Sequence, residues 1–304
     1  MHRLEGKNSE IRHTGKQITP ILGILNNFAV LIKARSLHAS VFTISAVVGL
    51  VIGSGGSLSI YHLLAPLAAF FLSLALYTLN DISDRKLDAI TSPKRPIVSR
   101  IPLKTAYGFV TLSNLIGITA GFMINFNAFI VAILATILGI MYSAPKIALK
   151  DRFVFKTLAI AVGLFLSTIF GIVTAGHLDA TAIYVAGAIA AFAFMSSPIN
   201  DIADQVGDRM KGRRTIPIVL GSQSTISLAQ YMTLFIIALS WFAYYYLHVS
   251  LITPLLVTGI CAATIVALKP LRNRTDDLSY IENKHRSLVP LHFILQLALV
   301  TVIL

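Results

Sequence analysis

Two segments of the chain repeat one pattern of amide and carboxylate residues. The first begins at Asn80 and the second at Asn200, and both read N-D-I-x-D-x-x-x-D. Neither segment contains His or Cys, so the side-chain donors are oxygen atoms, which suit a hard ion such as Mg²⁺ or Mn²⁺. Proteins usually hold Mg²⁺ through one or two carboxylates together with the phosphates of a substrate. The pattern therefore predicts a site in which magnesium binds a phosphorylated substrate.

The spacing within each segment predicts two ladders of side chains. Residues four apart on an α-helix are offset by only about 40°, so they lie nearly above one another. The predicted ladders consist of Asn80, Asp84 and Asp88 in the first segment and Asn200, Asp204 and Asp208 in the second. Stacked carboxylates repel each other and need a cation. Two facing ladders could hold two Mg²⁺ ions with a diphosphate between them, and Mn²⁺ could substitute.

The segments contain one further aspartate each, Asp81 and Asp201. On a helix these two side chains point about 100° away from the ladders. They could bind metal through water, or they could be polar groups at a helix end. For all of these acids, the alternative is that they are solvated loop charges. Two identical patterns at equivalent places in the chain favour a site.

The composition places these segments in a membrane protein. Of the 304 residues, 56% are apolar and 12% are charged, whereas a soluble domain carries roughly 25% charged residues. A membrane-spanning helix needs about 20 mostly apolar residues. Nine such segments are predicted, at residues 37–53, 60–79, 106–124, 128–144, 153–175, 180–199, 226–247, 251–268 and 288–304. The predicted fold class is an all-α membrane protein with nine transmembrane helices.

The distribution of charge predicts the orientation of these helices. Four short turns contain no Lys or Arg, at residues 54–59, 125–127, 176–179 and 248–250. All 25 basic residues lie in the N-terminal segment or in the other connections and their edges. By the positive-inside rule, the N-terminus and the carboxylate segments face the cytoplasm of a multi-pass protein in the cell membrane, and the C-terminus lies outside. The net charge of +12 thus reflects orientation, and the expected partner is the lipid bilayer rather than a nucleic acid.

The repeated segments belong to a larger internal repeat. Each begins at the cytoplasmic end of a predicted span, the second and the sixth, and each is followed by a basic patch that ends in Pro-Ile. We predict a single integral membrane domain over residues 1–304. In it a four-helix unit is duplicated, roughly over residues 37–150 and 153–270, and one helix is added.

The N-terminal segment, residues 1–36, is predicted to be cytoplasmic. Apolar residues recur in it at helical spacing from Ile18 to Ile32, with polar residues on the opposite face. This pattern predicts an amphipathic helix that lies in the membrane interface. The alternative is a solvent-facing helix packed on the loops.

Three motifs together resemble those of a known family. The first carboxylate segment matches N-x-x-x-D-x-x-x-D, and the second matches D-x-x-x-D. The segment that begins at Tyr142, Y-S-A-P-K, resembles a Y-S-x-P-x motif after the fourth span. With nine predicted spans and a duplicated layout, nearly the whole chain resembles the UbiA superfamily of intramembrane prenyltransferases.

The resemblance implies an architecture and a reaction. The family fold has nine transmembrane helices around a central cavity, under a cap of cytoplasmic loops. The reaction moves a prenyl group from a prenyl diphosphate to an acceptor, through Mg²⁺-assisted ionisation to an allylic carbocation, and releases diphosphate. This chain is therefore expected to be a prenyltransferase. The metal ligands that the resemblance carries over are Asp84, Asp88, Asp204 and Asp208.

The resemblance also implies roles for other side chains. Asp84, Asp204 and Tyr142 are expected to be catalytic. Asn80 and Asn200 are expected to orient the metal or the diphosphate. Tyr142 could hydrogen-bond the donor or stabilise the cation, or it could be a tyrosine of the interfacial belt. The candidate diphosphate contacts are Lys94, Arg95, Lys146, Arg35 and Arg214. Each of these basic residues could instead anchor the cytoplasmic side of the membrane.

The acceptor is expected to be hydrophobic or amphipathic, either an aromatic quinone precursor or geranylgeranylglyceryl phosphate. Relatives that alkylate glyceryl phosphates often have a charged stretch resembling R-E-I-x-K-D before the second motif. This chain has M-S-S-P-I-N-D at residues 195–201, which weakens the assignment of a glyceryl phosphate.

The alternative function is a cation-coupled membrane transporter. Internal repeats and membrane carboxylates are common in transporters, whose sites lie near the bilayer midplane. In this chain no acidic residue falls centrally in a predicted span. The position of the acids therefore favours the prenyltransferase.

Overall fold

The computed structural model of the protein describes residues 20–55 and 58–304. Within these residues, nine helical segments are long and apolar enough to cross a membrane, which confirms the predicted all-α membrane fold. The long helices are α1 (Pro20–Gly53), α2 (Leu64–Thr91), α3 (Leu103–Ile124), α4 (Phe126–Ser143), α5 (Phe155–Ala175), α6 (Ala180–Ala203), α7 (Ser222–Leu247), α8 (Ile252–Leu268) and α9 (Leu278–Leu299). Short 3₁₀ turns precede α2 at Ile60–Leu63 and extend α8 and α9 at Lys269–Asn273 and Val300–Ile303.

Besides α1, two helices extend well beyond the apolar segments that predicted them. Helix α2 continues to Thr91, past the predicted end of its span at residue 79. Helix α9 begins at Leu278, before the predicted start at residue 288. An apolar stretch ends at its first charged residue, but the backbone hydrogen bonds of a helix do not require apolar side chains. The extension of α2 is what carries the first carboxylate segment.

The predicted amphipathic helix is not a separate element. Helix α1 runs without a break, so residues 20–36 are its first turns. Phe28 in this part packs edge-to-face on Phe109, with the ring centroids 5.1 Å apart. The charge of Arg35 divides the two apolar stretches in the sequence, but it is paired inside the protein. Residues 1–19 lie outside the described part of the chain, and placement of the first turns in the membrane interface stays a prediction.

Consecutive helices pack on one another within each half of the chain, α1 to α4 and α5 to α8, and α9 packs on α6, α8 and α1. The two halves meet most extensively where α1 lies against α5. A Cβ atom on Gly171 would lie 1.9 Å from the carbonyl oxygen of Ala46, and one on Gly49 would lie 2.0 Å from that of Thr168. Glycine therefore permits the close backbone approach that joins the halves, as is common between membrane helices.

The connections at one end of the bundle form a cap over it. This cap contains the short helices Pro96–Ser99, Gln205–Met210 and Ile216–Leu220 and the 3₁₀ turn Leu149–Asp151. At the other end, Asp179 begins α6 by accepting a hydrogen bond of 2.7 Å from the N–H of Ala182. At 1.5 Å per residue, Asp179 lies about 30 Å along α6 from Asn200. Both carboxylate segments thus lie at the capped end.

Candidate active site

A cavity of about 580 Å³ opens beneath the cap, lined by α1, α2, α4, α5, α6 and α9. All six members of the two predicted ladders line it, together with cationic side chains from the cap and the adjoining helix ends. Its inner wall is mostly apolar and includes Val41, Phe42, Ile160, Leu164 and Ala193, with His292 among them. The cavity therefore joins a charged chamber at the capped end to an apolar chamber deeper in the bundle.

The first ladder forms as predicted, because α2 continues through Asp88 to Thr91. Asp84 accepts hydrogen bonds from Lys150 Nζ at 2.7 Å and from Arg213 Nη2 at 2.7 and 2.9 Å. Asp88 accepts one of 2.6 Å from Arg95 Nη1. These acids are therefore not solvated loop charges, since each is buried in an ion pair.

The second ladder is interrupted, contrary to the assumption of one continuous helix. Helix α6 ends at Ala203, and Asp204 is the junction to the short helix that carries Asp208. Asp204 and the nearby Gly207 are both poor helix formers, which favours a break at this place. The backbone N–H of Asp204 still donates to the carbonyl of Asn200 at 3.2 Å. The register therefore continues across the junction, and all three side chains reach the cavity.

The two aspartates outside the ladders hold basic side chains. Asp81 accepts hydrogen bonds from Arg35, one of them 2.7 Å long from Nε, and Arg95 Nη1 lies 3.6 Å away. Asp201 accepts a bond of 2.7 Å from Lys156 Nζ. Of the two alternatives for these acids, the contacts favour polar groups at helix ends, which here position cations.

Three cations that the sequence did not single out also contact the ladders. Lys150 donates to Asp84 and to Asn80, the latter at 3.1 Å. Lys156 Nζ lies 3.3 Å from Asp208. Arg213 contacts the first ladder through Asp84 and the second through Asp208, at 3.1 Å from Nη1. Lys150 and Lys156 lie shortly after the Y-S-x-P-x segment in the sequence, and that motif is the sequence signal that could have identified them.

Of the five basic residues predicted to contact the diphosphate, the structure brings two to the cavity. Arg35 and Arg95 line it, while the side chains of the other three are exposed outside its lining. Those three are Lys94, Lys146 and Arg214. Arg214 directly follows Arg213, and only the contacts of the folded chain distinguish which of the two faces inward.

Tyr142 lies at the end of α4 and lines the cavity together with Tyr77 of α2. The Tyr77 ring lies 6.0 Å from the ring of Phe42, and the Arg35 guanidinium lies 6.0 Å from its centroid. Two aromatic side chains thus stand where the charged and apolar chambers meet. This position favours a role in the site for Tyr142 over a place in the membrane-facing belt.

Burial acts to lower the pKa values of the two cap cations, Lys150 and Arg213, whereas pairing with carboxylates acts to raise them. Burial lowers the pKa of Lys150, although its hydrogen bond to Asp84 opposes the shift. Burial also acts to lower the pKa of Arg213, but Asp84, Asp151 and Asp208 together outweigh it and hold that pKa above its usual range. Arg213 therefore remains a cation within the cavity.

The residues of the cavity fit a magnesium ion in their donor chemistry. The ladders offer oxygen donors only, the set that Mg²⁺ prefers. Two buried carboxylate oxygens, Asp88 Oδ1 and Asp201 Oδ2, have no hydrogen-bond partner. Among the described residues, no three His, Cys, Asp or Glu side chains are gathered as a ready-made metal site. The ladder carboxylates are instead paired mostly with Lys and Arg.

A sequence comparison matches residues 42–282 to the UbiA prenyltransferase family. The digeranylgeranylglyceryl phosphate synthase of Methanosphaera stadtmanae is 33% identical over 187 residues, which cover 60% of this chain and 66% of that protein. The enzyme of the same name from Pyrococcus horikoshii is 29% identical over 188 residues, or 58% of this chain and 65% of its own. The chain thus spans slightly less than two thirds of the length of these curated relatives.

Solved structures share the fold over nearly the whole chain. A structure of digeranylgeranylglyceryl phosphate synthase in membranes has a TM-score of 0.73 at 21% identity, covering 92% of this chain and 99% of the other. A UbiA homolog from Archaeoglobus fulgidus, bound to GPP and Mg²⁺, has a TM-score of 0.66 at 18% identity and covers 88% of this chain and 99% of its own. At these identities the similarity concerns the fold alone.

Proposed function

Because the chain belongs to the UbiA prenyltransferase family, we propose that it transfers a prenyl group from a prenyl diphosphate to a lipid acceptor and releases diphosphate. The observation that carries this proposal is the cavity, in which both carboxylate ladders line one charged chamber that continues into an apolar chamber. A prenyl diphosphate has the same two parts, an anionic head and a hydrocarbon tail. The head would lie between the ladders, and the tail would lie against Phe42, Ile160 and Leu164.

The ladder carboxylates Asp84, Asp88, Asp204 and Asp208 are the proposed ligands of two Mg²⁺ ions, for which Mn²⁺ could substitute. Bound Mg²⁺ supplies Lewis-acid neutralisation of the departing diphosphate. Asn80 and Asn200 orient the diphosphate through their amides. Arg95, Lys156 at the start of α5 and the cap cations Lys150 and Arg213 bind its oxygens, because charge-assisted hydrogen bonds from Lys and Arg favour phosphate groups.

The chain's own residues also govern the transfer step. The bond between C1 of the donor and the diphosphate oxygen breaks, and C1 becomes part of an allylic cation. Tyr77 and Tyr142 lie at the junction of the chambers, where their ring faces can stabilise that cation. The apolar wall excludes water, which would otherwise capture it. The acceptor oxygen then bonds to C1, and its proton passes to the released diphosphate.

For the acceptor we propose geranylgeranylglyceryl phosphate rather than an aromatic quinone precursor. The curated relatives named above are digeranylgeranylglyceryl phosphate synthases. Arg35 also lines the cavity, as Arg95 does. It pairs with Asp81, which does not belong to either ladder. A guanidinium in this position suits the phosphate of an amphipathic acceptor. The uncharged stretch at residues 195–199 does not contradict this, because these cations come from other helices.

The acceptor is tested by mass spectrometry of the products. Purified full-length protein with Mg²⁺ and geranylgeranyl diphosphate is offered geranylgeranylglyceryl phosphate, a hydroxybenzoate and a dihydroxynaphthoate in parallel. We expect one added geranylgeranyl group on the glyceryl phosphate. Product from an aromatic acceptor alone would contradict the acceptor assignment. The absence of product from every acceptor, with folded protein, would contradict prenyl transfer itself.

The transporter alternative finds no support in the comparisons. The carboxylates of this chain lie at the capped ends of α2 and α6, whereas transporter sites lie near the bilayer midplane. The lining of the cavity by six cations, including Arg213 and Lys150, also suits an anionic substrate better than a small coupling cation.

We propose that the capped end, the N-terminus and the active site face the cytoplasm and that the C-terminus lies outside the cell. A cysteine placed at Lys146 should then react with an impermeant reagent only from the cytoplasmic side, and one at His177 only from outside. Both positions are exposed, and native Cys261 is buried, which keeps the background low. Labelling of both positions from the same side would contradict the nine-span topology.

A further inference from the structure

Arg213 occupies the space between the two ladders. Its Nη2 lies 2.7 and 2.9 Å from the two oxygens of Asp84, and its Nη1 lies 3.1 Å from Asp208. Its Nε donates to Asp151, in the connection between the two halves, at 2.7 Å. One guanidinium thus joins both carboxylate ladders to the linker of the repeat.

Both oxygens of Asp84 are paired with cations in this arrangement. Its Oδ1 accepts hydrogen bonds from both Lys150 and Arg213, and its Oδ2 accepts one from Arg213. Asp208 is paired in the same way, with Lys156 and Arg213. The other two proposed ligands are less occupied. Asp88 Oδ1 accepts no hydrogen bond, although Lys211 Nζ lies 3.8 Å away. Within the described residues, Asp204 is bonded only by Asn200, at 2.8 Å. A Mg²⁺ ion that binds Asp84 must therefore compete with Lys150 and Arg213 for its oxygens.

Displacement of the two cations carries an energetic cost. The side chains of Arg213 and Lys150 are only 9% and 5% exposed. A buried charge that loses a partner is destabilised, so each cation needs a new partner in place of Asp84. A diphosphate supplies new partners, because a guanidinium fork matches phosphate oxygens in two-point hydrogen bonds. In each of these ion pairs, Mg²⁺ thus replaces the cation on the carboxylate, and the diphosphate replaces the carboxylate on the cation.

We propose that Arg213 and Lys150 hold the ladder carboxylates in the donor-free protein and exchange them for diphosphate oxygens when the donor and Mg²⁺ bind. This inference rests on the proposed function. Its consequence is that the protein binds Mg²⁺ strongly only together with a diphosphate. Because such coupling is reciprocal, the metal must raise the affinity for the diphosphate by the same factor.

The position of Arg213 in the chain is compatible with this exchange. It follows Gly212, whose φ of +67° lies in the left-handed region that favours glycine. Its backbone N–H donates to the carbonyl of Asp208 at 2.9 Å, so the turn keeps Arg213 next to the second ladder. The guanidinium can then change partners without moving the backbone away from the site. If Arg213 served only to stabilise the fold, replacing it would not change the affinity of the protein for the metal.

The test measures Mn²⁺ binding by electron paramagnetic resonance, with and without geranylgeranyl thiolodiphosphate, a donor analogue that resists ionisation. The parent protein should bind Mn²⁺ at least tenfold more tightly with the analogue. Arg213→Gln should bind Mn²⁺ at least tenfold more tightly than the parent without the analogue, and the analogue should then add less. Arg209→Gln is the matched control, because it removes an exposed cation next to the same ladder.

Folded Arg213→Gln protein with parental or weaker Mn²⁺ affinity in the absence of the analogue would overturn the exchange. If that variant does not fold, Lys150→Gln removes the other cation on Asp84 and should also tighten Mn²⁺ binding; unchanged affinity there would overturn it equally. A parent protein that binds no Mn²⁺ even with the analogue would instead contradict the proposed function. The two failures are therefore distinguishable.

Discussion

Replacing Asp84 or Asp204 with alanine should reduce the turnover of prenyl transfer at least a hundredfold. Each change removes one proposed metal–carboxylate bond that serves the departing diphosphate. A hundredfold loss corresponds to about 2.7 kcal/mol of transition-state stabilisation. The losses should not add in the double variant, because both ligands serve one transition state. Turnover is measured as prenylated product formed at saturating donor and acceptor.

The two variants should differ in stability. Asp84→Ala removes the carboxylate that the buried Lys150 and Arg213 share, so this variant should unfold at a lower temperature than the parent. Arg213 keeps Asp151 and Asp208 as partners, which limits the loss. Asp204 is bonded only by Asn200 in the described structure, so Asp204→Ala should unfold close to the parental temperature. Asp84→Asn keeps the shape of the side chain and is the companion variant for the first ladder.

Asp179→Asn is the control for the Asp84 and Asp204 variants. This residue lies at the far end of α6, and asparagine keeps the oxygen that accepts the N–H of Ala182. We expect its turnover to equal that of the parent. If folded Asp84→Asn and Asp204→Ala proteins also turn over like the parent, the proposed site is wrong.

Exhaustive chelation with EDTA should abolish turnover, and added Mg²⁺ or Mn²⁺ should restore it. The ladders contain only oxygen donors, and their carboxylates need a metal to bind a diphosphate that carries the same sign of charge. The cap cations provide counter-charge of their own, but they also neutralise the carboxylates in the donor-free protein. Full turnover in EDTA would remove the metal role assigned to the ladders.

The membrane fold and the ladders were predictable from the sequence because both depend on local patterns. Span length and the alternation of basic and uncharged connections predict nine helices. A spacing of four residues predicts that Asp84 and Asp88 share a helix face, and α2 extends far enough to place them so. The break at Asp204 was missed because the spacing rule assumes an uninterrupted helix.

The ion pairs of the site were not predictable, because they join distant parts of the chain. Lys150 and Asp84 are separated by 66 residues, and Arg213 and Asp84 by 129. Nothing in the basic patch at Arg213 and Arg214 distinguishes the inward side chain from the exposed one. The same limit applies to Asp81, whose pairing with Arg35 depends on how α1 packs on α2. Such choices are made by tertiary packing rather than by local sequence.

The most direct test of prenyl transfer measures the released diphosphate and the prenylated lipid in the same reaction. Purified protein in lipid nanodiscs is given Mg²⁺, geranylgeranyl diphosphate and geranylgeranylglyceryl phosphate, and both products are quantified over time. The account predicts equal amounts of diphosphate and digeranylgeranylglyceryl phosphate at every time point. Release of diphosphate without any prenylated product, or consumption of neither substrate by folded protein, would contradict it.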